Sequence, residues 1–299
     1  MEDKNKDLIK IIQMNFTRLS KGHKLIAEYI MSNYDKAAFM TAAKLGEVVG
    51  VSESTVVRFA LALGFSGYPS LQRALQELIK NKLTTVQRLS MSGEYTDNEV
   101  GIKKILRTDM ENIKSTIDEI NADVFEKVID SILSARRVYI LGLRSSAALA
   151  EYLGFYLDII VDDVKVVRTG ISDIFEQIIR VTKDDLVIGI SYPRYSRKTL
   201  DALKYVKTKQ CKIVGITDSL ISPIASIADY TLIARSNMLS FVDSLVAPMS
   251  LLNALIVAVG MREKEDIGKY FNELENIWNE YNIYDNKEKN ILNDNKRTD

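Results

Sequence analysis

One cysteine, one histidine, one tryptophan and four prolines are all that 299 residues contain of those types. The lone Cys211 excludes an internal disulfide framework and any zinc site built from several cysteines. It lies in the apolar run Cys211-Lys212-Ile213-Val214-Gly215-Ile216, the pattern of a buried strand. No apolar run reaches the ~20 residues needed to span a bilayer. The longest candidate, Leu245 to Met261, is interrupted by Pro248, Ser250 and Asn253. The N-terminus, Met1-Glu2-Asp3-Lys4-Asn5-Lys6, is charged and lacks the apolar core of a secretion signal. A cytoplasmic location with no membrane partner is the expectation. Net charge is zero, so a strongly basic nucleic-acid coat is also missing. The halves differ slightly: residues 1–80 carry net +3 and the remainder net −3. That asymmetry has the direction expected if the N-terminal part meets phosphates.

What is present begins with residues 41–61, which read as two short helices joined by a tight turn at Gly50. The spacing suits a helix-turn-helix, whose second helix enters the DNA major groove. Leu45, Val48 and Val49 form the apolar stripe of the first helix. Val51, Val56, Phe59 and Ala60 continue it across the turn and along the second. Gly46 is small where the helices must cross, and Gly50 suits a left-handed turn. Ser52 is placed to cap the second helix. Glu53, Ser54, Val57 and Arg58 are left on the outer face, with Thr55 near its edge. The plainer alternative is a two-helix hairpin inside a helical core.

Around this stretch the 3.6-residue period recurs. Residues 1–15 read as a helical lead-in, and Phe16 to Asn33 as an amphipathic helix whose main part Ser20 caps. Gly64 and Pro69 mark the end of one helix and the first turn of the next, which runs from Ser70 to Asn81. An all-helical domain of about five helices is thus predicted over 1–81. The linker and connecting helix take 82–121. In that helix Ile102, Ile105, Leu106, Met110, Ile113, Ile117 and Ile120 follow a period near 3.5, suited to a partner or a sister subunit.

Beyond residue 122 short apolar runs alternate with helical segments. Strands are expected at 138–141, 165–168, 186–190, 212–216 and 230–234. Helices are expected at 147–160, 174–182, 196–208 and 223–228, with two more at 240–259 and 263–281. This alternation predicts a doubly wound α/β domain with a five-stranded parallel sheet over 122–285. A disordered tail is expected at 286–299. The fold class is therefore α plus α/β.

Ligands of open α/β sheets bind beyond the C-terminal strand ends. Gly142-Leu143-Arg144-Ser145-Ser146 and Ser191-Tyr192-Pro193-Arg194-Tyr195-Ser196-Arg197 both run from a strand into a helix, and Thr217-Asp218-Ser219 follows the fourth strand. Helix N-termini favour anions, and serine and arginine add donors. The candidate effector-binding residues are Gly142, Arg144, Ser145, Ser146, Ser191, Arg194, Ser196 and Thr217. Plain helix capping by Ser146 and Ser196, and arginines at a subunit interface, are the competing readings.

Val51-Ser52-Glu53-Ser54-Thr55-Val56-Val57-Arg58-Phe59, followed by Leu63-Gly64-Phe65-Ser66-Gly67-Tyr68, resembles the N-terminal domain of RpiR/MurR-type bacterial transcriptional regulators. The later region resembles the sugar isomerase (SIS) domain that follows it in that family. The resemblance implies a homodimer or homotetramer that binds operator DNA and responds to a phosphorylated sugar or related metabolite. No cofactor is implied. It assigns DNA reading to Ser52, Glu53, Ser54, Thr55 and Arg58. The effector loops depart from the family pattern. Gly-x-Gly-x-Ser after the first strand keeps Gly142 and Ser146 but has Arg144 at the second glycine. Ser-x-Ser-Gly-x-Thr keeps a hydroxyl at Ser191 and Ser196 but has Pro193 and Arg194 between. An anionic effector is still implied, since arginine clamps anions bidentately, and a sugar acid fits as well as a sugar phosphate.

A sugar-phosphate isomerase with a helical extension is the competing function. It needs a general acid or base in reach. His23 lies in the helical part, expected on an exposed face, and neither arginine loop contains Asp or Glu. Asp218 and Asp243 read as turn or cap residues. A ligand-binding module that acts through protein partners is the third reading.

Overall fold

The computed structural model describes residues 8–80, 98–170, 172–237 and 242–284. Residues 1–7 of the lead-in, Asn81 of the expected closing helix, 82–97 of the expected linker and the tail from 286 lie outside these. The N-terminal region is helical: α1 (Leu8–Asn15), a 3-10 turn (Phe16–Arg18), α2 (Lys21–Ser32), α3 (Tyr34–Ala37), α4 (Ala42–Val49), α5 (Glu53–Ala62) and α6 (Tyr68–Lys80). The expected helix from Phe16 is broken at Leu19, which is extended. Ser20, Thr41 and Ser52 each accept the backbone N–H three residues on, from His23, Lys44 and Thr55. Each such cap contributes about 1 kcal/mol. Ile12, Ile26, Ile30, Leu45, Phe59, Leu71 and Leu75 fill the core beneath them. Val48 does not belong to that stripe: it is 44% exposed. At about 100° per residue it points roughly 110° away from the direction shared by buried Ala42, Leu45 and Gly46.

The C-terminal region starts with α7 (Asn98–Glu119) and α8 (Ala122–Ser134). It continues through β1 (Val138–Gly142), α9 (Ser146–Ile160), β2 (Val164–Val167), α10 (Ile174–Ile178), β3 (Leu186–Ile190), α11 (Arg197–Thr208), β4 (Lys212–Thr217) and β5 (Tyr230–Ile233). It closes with α12 (Val246–Arg262) and α13 (Lys264–Glu280). The sheet is wholly parallel with order β2-β1-β3-β4-β5. Both faces are covered, so β1 is buried at every position. Val138 and Ile140 face the side covered by α8, α9 and α12. Tyr139 and Leu141 face α10 and α11. This period of two is why uninterrupted apolar runs are strands here.

Three expected helices changed, the one at 174–182 ending already at Ile178. Residues 223–228 form turns rather than a helix. The helix expected from 240 starts at Val246 instead, which puts Pro248 in its first turn, where a missing N–H is harmless. Among the described residues before it, 234–237 and 242–245 are not helical.

Arg235, Asn237 and Ser244 hold α7 by polar contacts. Buried Asn112 donates to the Asn237 carbonyl and accepts from the Asn237 N–H, both at 3.0 Å. The Arg235 N–H donates to Thr116 Oγ1, the Arg235 guanidinium pairs with Glu119, and the Ser244 hydroxyl donates to Asp109. The periodic apolar residues of α7 therefore face outward: Leu106 is 59%, Met110 68% and Ile117 65% exposed. Among the described residues no single helix is long and apolar enough to cross a membrane.

Candidate functional site

The turn between α4 and α5 is set by two glycines. Gly50 takes φ +78°, and the Val51 N–H reaches back to the Gly46 carbonyl at 2.8 Å. A Cβ on Gly46 would lie 2.7 Å from the Val51 carbonyl oxygen, so the backbones cross with no room for a side chain. Upstream, the Met40 carbonyl accepts from both Tyr68 and Gln72, which ties α6 to the entry of α4. Burial pushes the Tyr68 hydroxyl up to about 12.

This arrangement leaves Ser52, Glu53, Ser54 and Arg58 exposed, with Thr55 partly so. The Ser52 hydroxyl lies 2.9 Å from that of Ser54 and 2.8 Å from that of Thr55. Arg58 Nε donates to the Ser54 carbonyl one turn back, which lays the guanidinium along the outer face. Val57 is not on that face; it is half-buried against the helical core.

His23 is half-buried rather than on an exposed face, edge-on to Phe59 with ring centroids 5.7 Å apart. Burial first, then the Arg58 charge, lower its pKa from 6.5. The folded protein thus binds fewer protons than the unfolded chain below that value, and stability rises with pH there. The contribution is full above pH 6.5 and is lost as pH falls through the depressed folded value. Thermal unfolding between pH 5 and 8 is expected to show this acid-side loss, and His23→Gln to flatten it. An unchanged acid limb in that variant would place the titrating group elsewhere.

At the sheet's C-terminal edge, β1 and β3 are hydrogen-bonded neighbours whose chains leave toward opposite faces. A cavity of about 750 Å³ opens between their loops, at the point where strand order reverses. Arg144, Ser145, Ser146, Ser191, Arg194 and Ser196 line it together with Tyr195, Arg197, Lys198 and Asp243. Two of the residues singled out in the sequence are elsewhere. Gly142 lies beneath the cavity, where a Cβ would sit 2.4 Å from the Ser146 carbonyl oxygen; it lets α9 approach the sheet. Thr217 is fully buried, donating to Asp218, which also accepts from Tyr195.

The capping alternative divides between the two loops. Ser196 caps α11, accepting from the Thr199 N–H, and its own N–H donates to Ser191 Oγ. Ser145, at the N-cap of α9, makes no side-chain cap bond, and Ser146 is the first helical residue. Arg144 has φ +59° and Arg194 φ +67°. A side-chain-bearing residue in this left-handed region costs about 1–2 kcal/mol. Among the described residues the other two such, Gln210 and Asn282, directly follow the C-caps of α11 and α13, where that conformation is ordinary. The two arginines have no such excuse; they precede helices. Left-handed backbone on arginine is a signal that the residue string alone does not carry. Asp243, a turn or cap residue by its sequence, joins the cavity wall because the long helix begins late.

Comparison with known proteins gives two family matches. Residues 6–82 match the helix-turn-helix domain of the rpiR family, and residues 131–258 match the SIS domain. An uncharacterized HTH-type transcriptional regulator of Haemophilus influenzae is 26% identical over 278 residues, covering 88% of this chain and 93% of its own. The sugar isomerase domain of an RpiR transcription factor from Sphaerobacter thermophilus superposes with TM-score 0.56 at 28% identity, over 58% of this chain and 97% of that one. The NanR protein of Vibrio vulnificus, complexed with ManNAc-6P, shares the fold with TM-score 0.53 at 18% identity, over 93% of this chain and 100% of that one.

Proposed function

Because the chain belongs to the RpiR family of helix-turn-helix transcriptional regulators, we propose that a small anionic metabolite in the SIS-domain cavity controls its affinity for operator DNA. The effector is a sugar phosphate, a sugar acid or a related compound. The observation that carries this reading is the cavity wall, where arginines from two neighbouring loops converge with serines. ManNAc-6P in Vibrio NanR supports a carbohydrate-type ligand for this chain.

On the DNA side, Ser52, Ser54, Thr55 and Arg58 contact phosphates or base edges, and Glu53 reads an adjacent base as acceptor. Two copies present two such helices, to half-sites one or two DNA turns apart. The outward apolar face of α7 supports a homodimer or homotetramer, as does an apolar groove of about 600 Å³ lined by Phe155, Ile160, Val257, Met261 and Phe271.

Residues 235–237 and 243–244 connect the two functions. Asp243 stands in the cavity wall, and Ser244 and Asn237 hold α7. A ligand that shifts Asp243 thereby shifts the helix leading toward the DNA-binding region. A coupling of about 1–3 kcal/mol changes operator affinity roughly 5–150-fold.

The test is a mobility-shift titration with DNA flanking the protein's own coding sequence. Arg58→Ala is expected to weaken binding roughly tenfold per half-site. Unchanged affinity would assign the reading helix elsewhere.

A further inference from the structure

Resting on the effector reading above, we infer that Tyr195 carries occupancy of the cavity to α7. A ligand that takes the Tyr195 hydroxyl turns Asp218 toward Tyr192, and Arg235 passes that movement to Glu119. The contacts form a continuous chain. Tyr195, half-buried in the cavity wall, donates its hydroxyl to Asp218 Oδ1 at 2.8 Å. The Asp218 carbonyl accepts from the Arg235 guanidinium at 3.2 Å. The same guanidinium grips the Glu119 carboxylate with two bonds, from Nε at 3.1 Å and from Nη2. The Arg235 N–H is fixed to Thr116 Oγ1 at 2.9 Å. Thr116 and Glu119 belong to the last turn of α7, beyond Asp109 and Asn112, which Ser244 and Asn237 hold. Tyr195 therefore reaches α7 by a route that does not pass through Asp243.

A relay needs two discrete arrangements, and a buried hydroxyl supplies the second. Asp218 is 1% exposed, and its carboxylate only accepts. Loss of the Tyr195 donor is unfavourable there unless another donor replaces it. Tyr192, on the same loop, is buried, and its hydroxyl has no hydrogen-bond partner among the described residues. Buried hydroxyls in folded proteins are mostly bonded. Tyr192 also lies within the field of Asp218: burial first, then that charge, hold its hydroxyl well above the ordinary tyrosine value. Asp218 thus has one donor engaged and a second in reserve. Tyr195 is the more exposed of the two, so a ligand takes it first. Turning the Asp218 side chain moves its carbonyl, which Arg235 holds, because both are fixed to one Cα.

The experiment is amide hydrogen exchange on the full chain, read at residues 113–119. Tyr195→Phe removes the donor as a ligand would, and exchange there is expected to quicken roughly tenfold. Arg235→Gln should do the same, and Tyr195→Phe added to it should bring no further change. Tyr192→Phe should leave these amides as they are in the parent. Exchange in α8 and β1 should match the parent in every variant. Unchanged exchange at 113–119 in Tyr195→Phe overturns the inference. So do additive effects in the double variant, faster exchange at 113–119 in Tyr192→Phe, or a rise spread over α8 and β1. These measurements need neither effector nor DNA. If they come out as expected yet the chain never retards DNA, the relay stands and the regulatory reading falls.

Discussion

Gly46→Val is expected to abolish operator retardation, with affinity falling more than about 100-fold. Its Cβ would lie 2.7 Å from the Val51 carbonyl oxygen and 3.3 Å from the Ser52 carbonyl carbon and Glu53 nitrogen. All three are backbone atoms at the start of α5, so no rotamer change relieves the clash. The chain must move α5 away from α4 or lose the turn. Overpacking of this kind costs about 1–3 kcal/mol and occasionally more. The displacement falls on the residues proposed to read DNA, where a misplacement of about 1 Å breaks bidentate contacts. The cavity lies in a different region, so ligand binding measured by calorimetry should persist. Operator affinity within a few-fold of the parent would show that the helices do not cross as described.

Gly142→Val is expected to have a comparable effect on the ligand side. The added Cβ would meet the Ser146 carbonyl oxygen at 2.4 Å and the Ala150 Cβ at 3.0 Å. α9 then cannot rest on the end of β1, and Arg144, Ser145 and Ser146 move with its first turn. A cost of about 3 kcal/mol is a large share of a typical domain's stability. Denaturant unfolding should show a lower midpoint, and the effector should no longer change DNA affinity. A full effector response in this variant would separate the cavity from the α9 terminus. The two substitutions form a crossed pair, each closing a backbone approach in one functional region.

Much of this architecture was legible in the residues because its signals are local. Ser20 and Ser52 cap the helices they precede, since a hydroxyl reaching a backbone N–H three residues on needs no distant partner. β3 runs over the expected residues, Leu186–Ile190, because both faces of the sheet are covered. Other features depended on distant contacts. Val48 continues an apolar stripe in one dimension, yet it stays 44% exposed among the described residues. Thr217 ends a strand beside the others, but its neighbours Asp218 and Tyr195 turn it into the interior. His23 belongs to a polar-looking stretch, yet it is half-buried and edge-on to Phe59 in the fold.

By itself the sequence determined the class: helices with a tight glycine turn, then alternating strands and helices with hydroxyls and arginines at the strand ends. Periodicity, caps and turn residues act over a few positions, so they can be read without coordinates. Tertiary structure alone decided three matters. It placed Gly142 under the cavity as a spacer, brought Asp243 into its wall, and turned the apolar face of α7 outward while Asp109, Asn112, Thr116 and Glu119 hold the helix. The last of these depends on residues as far as 135 positions apart in the chain. A side chain's surroundings across that distance are set by packing of the whole domain, which no local pattern encodes.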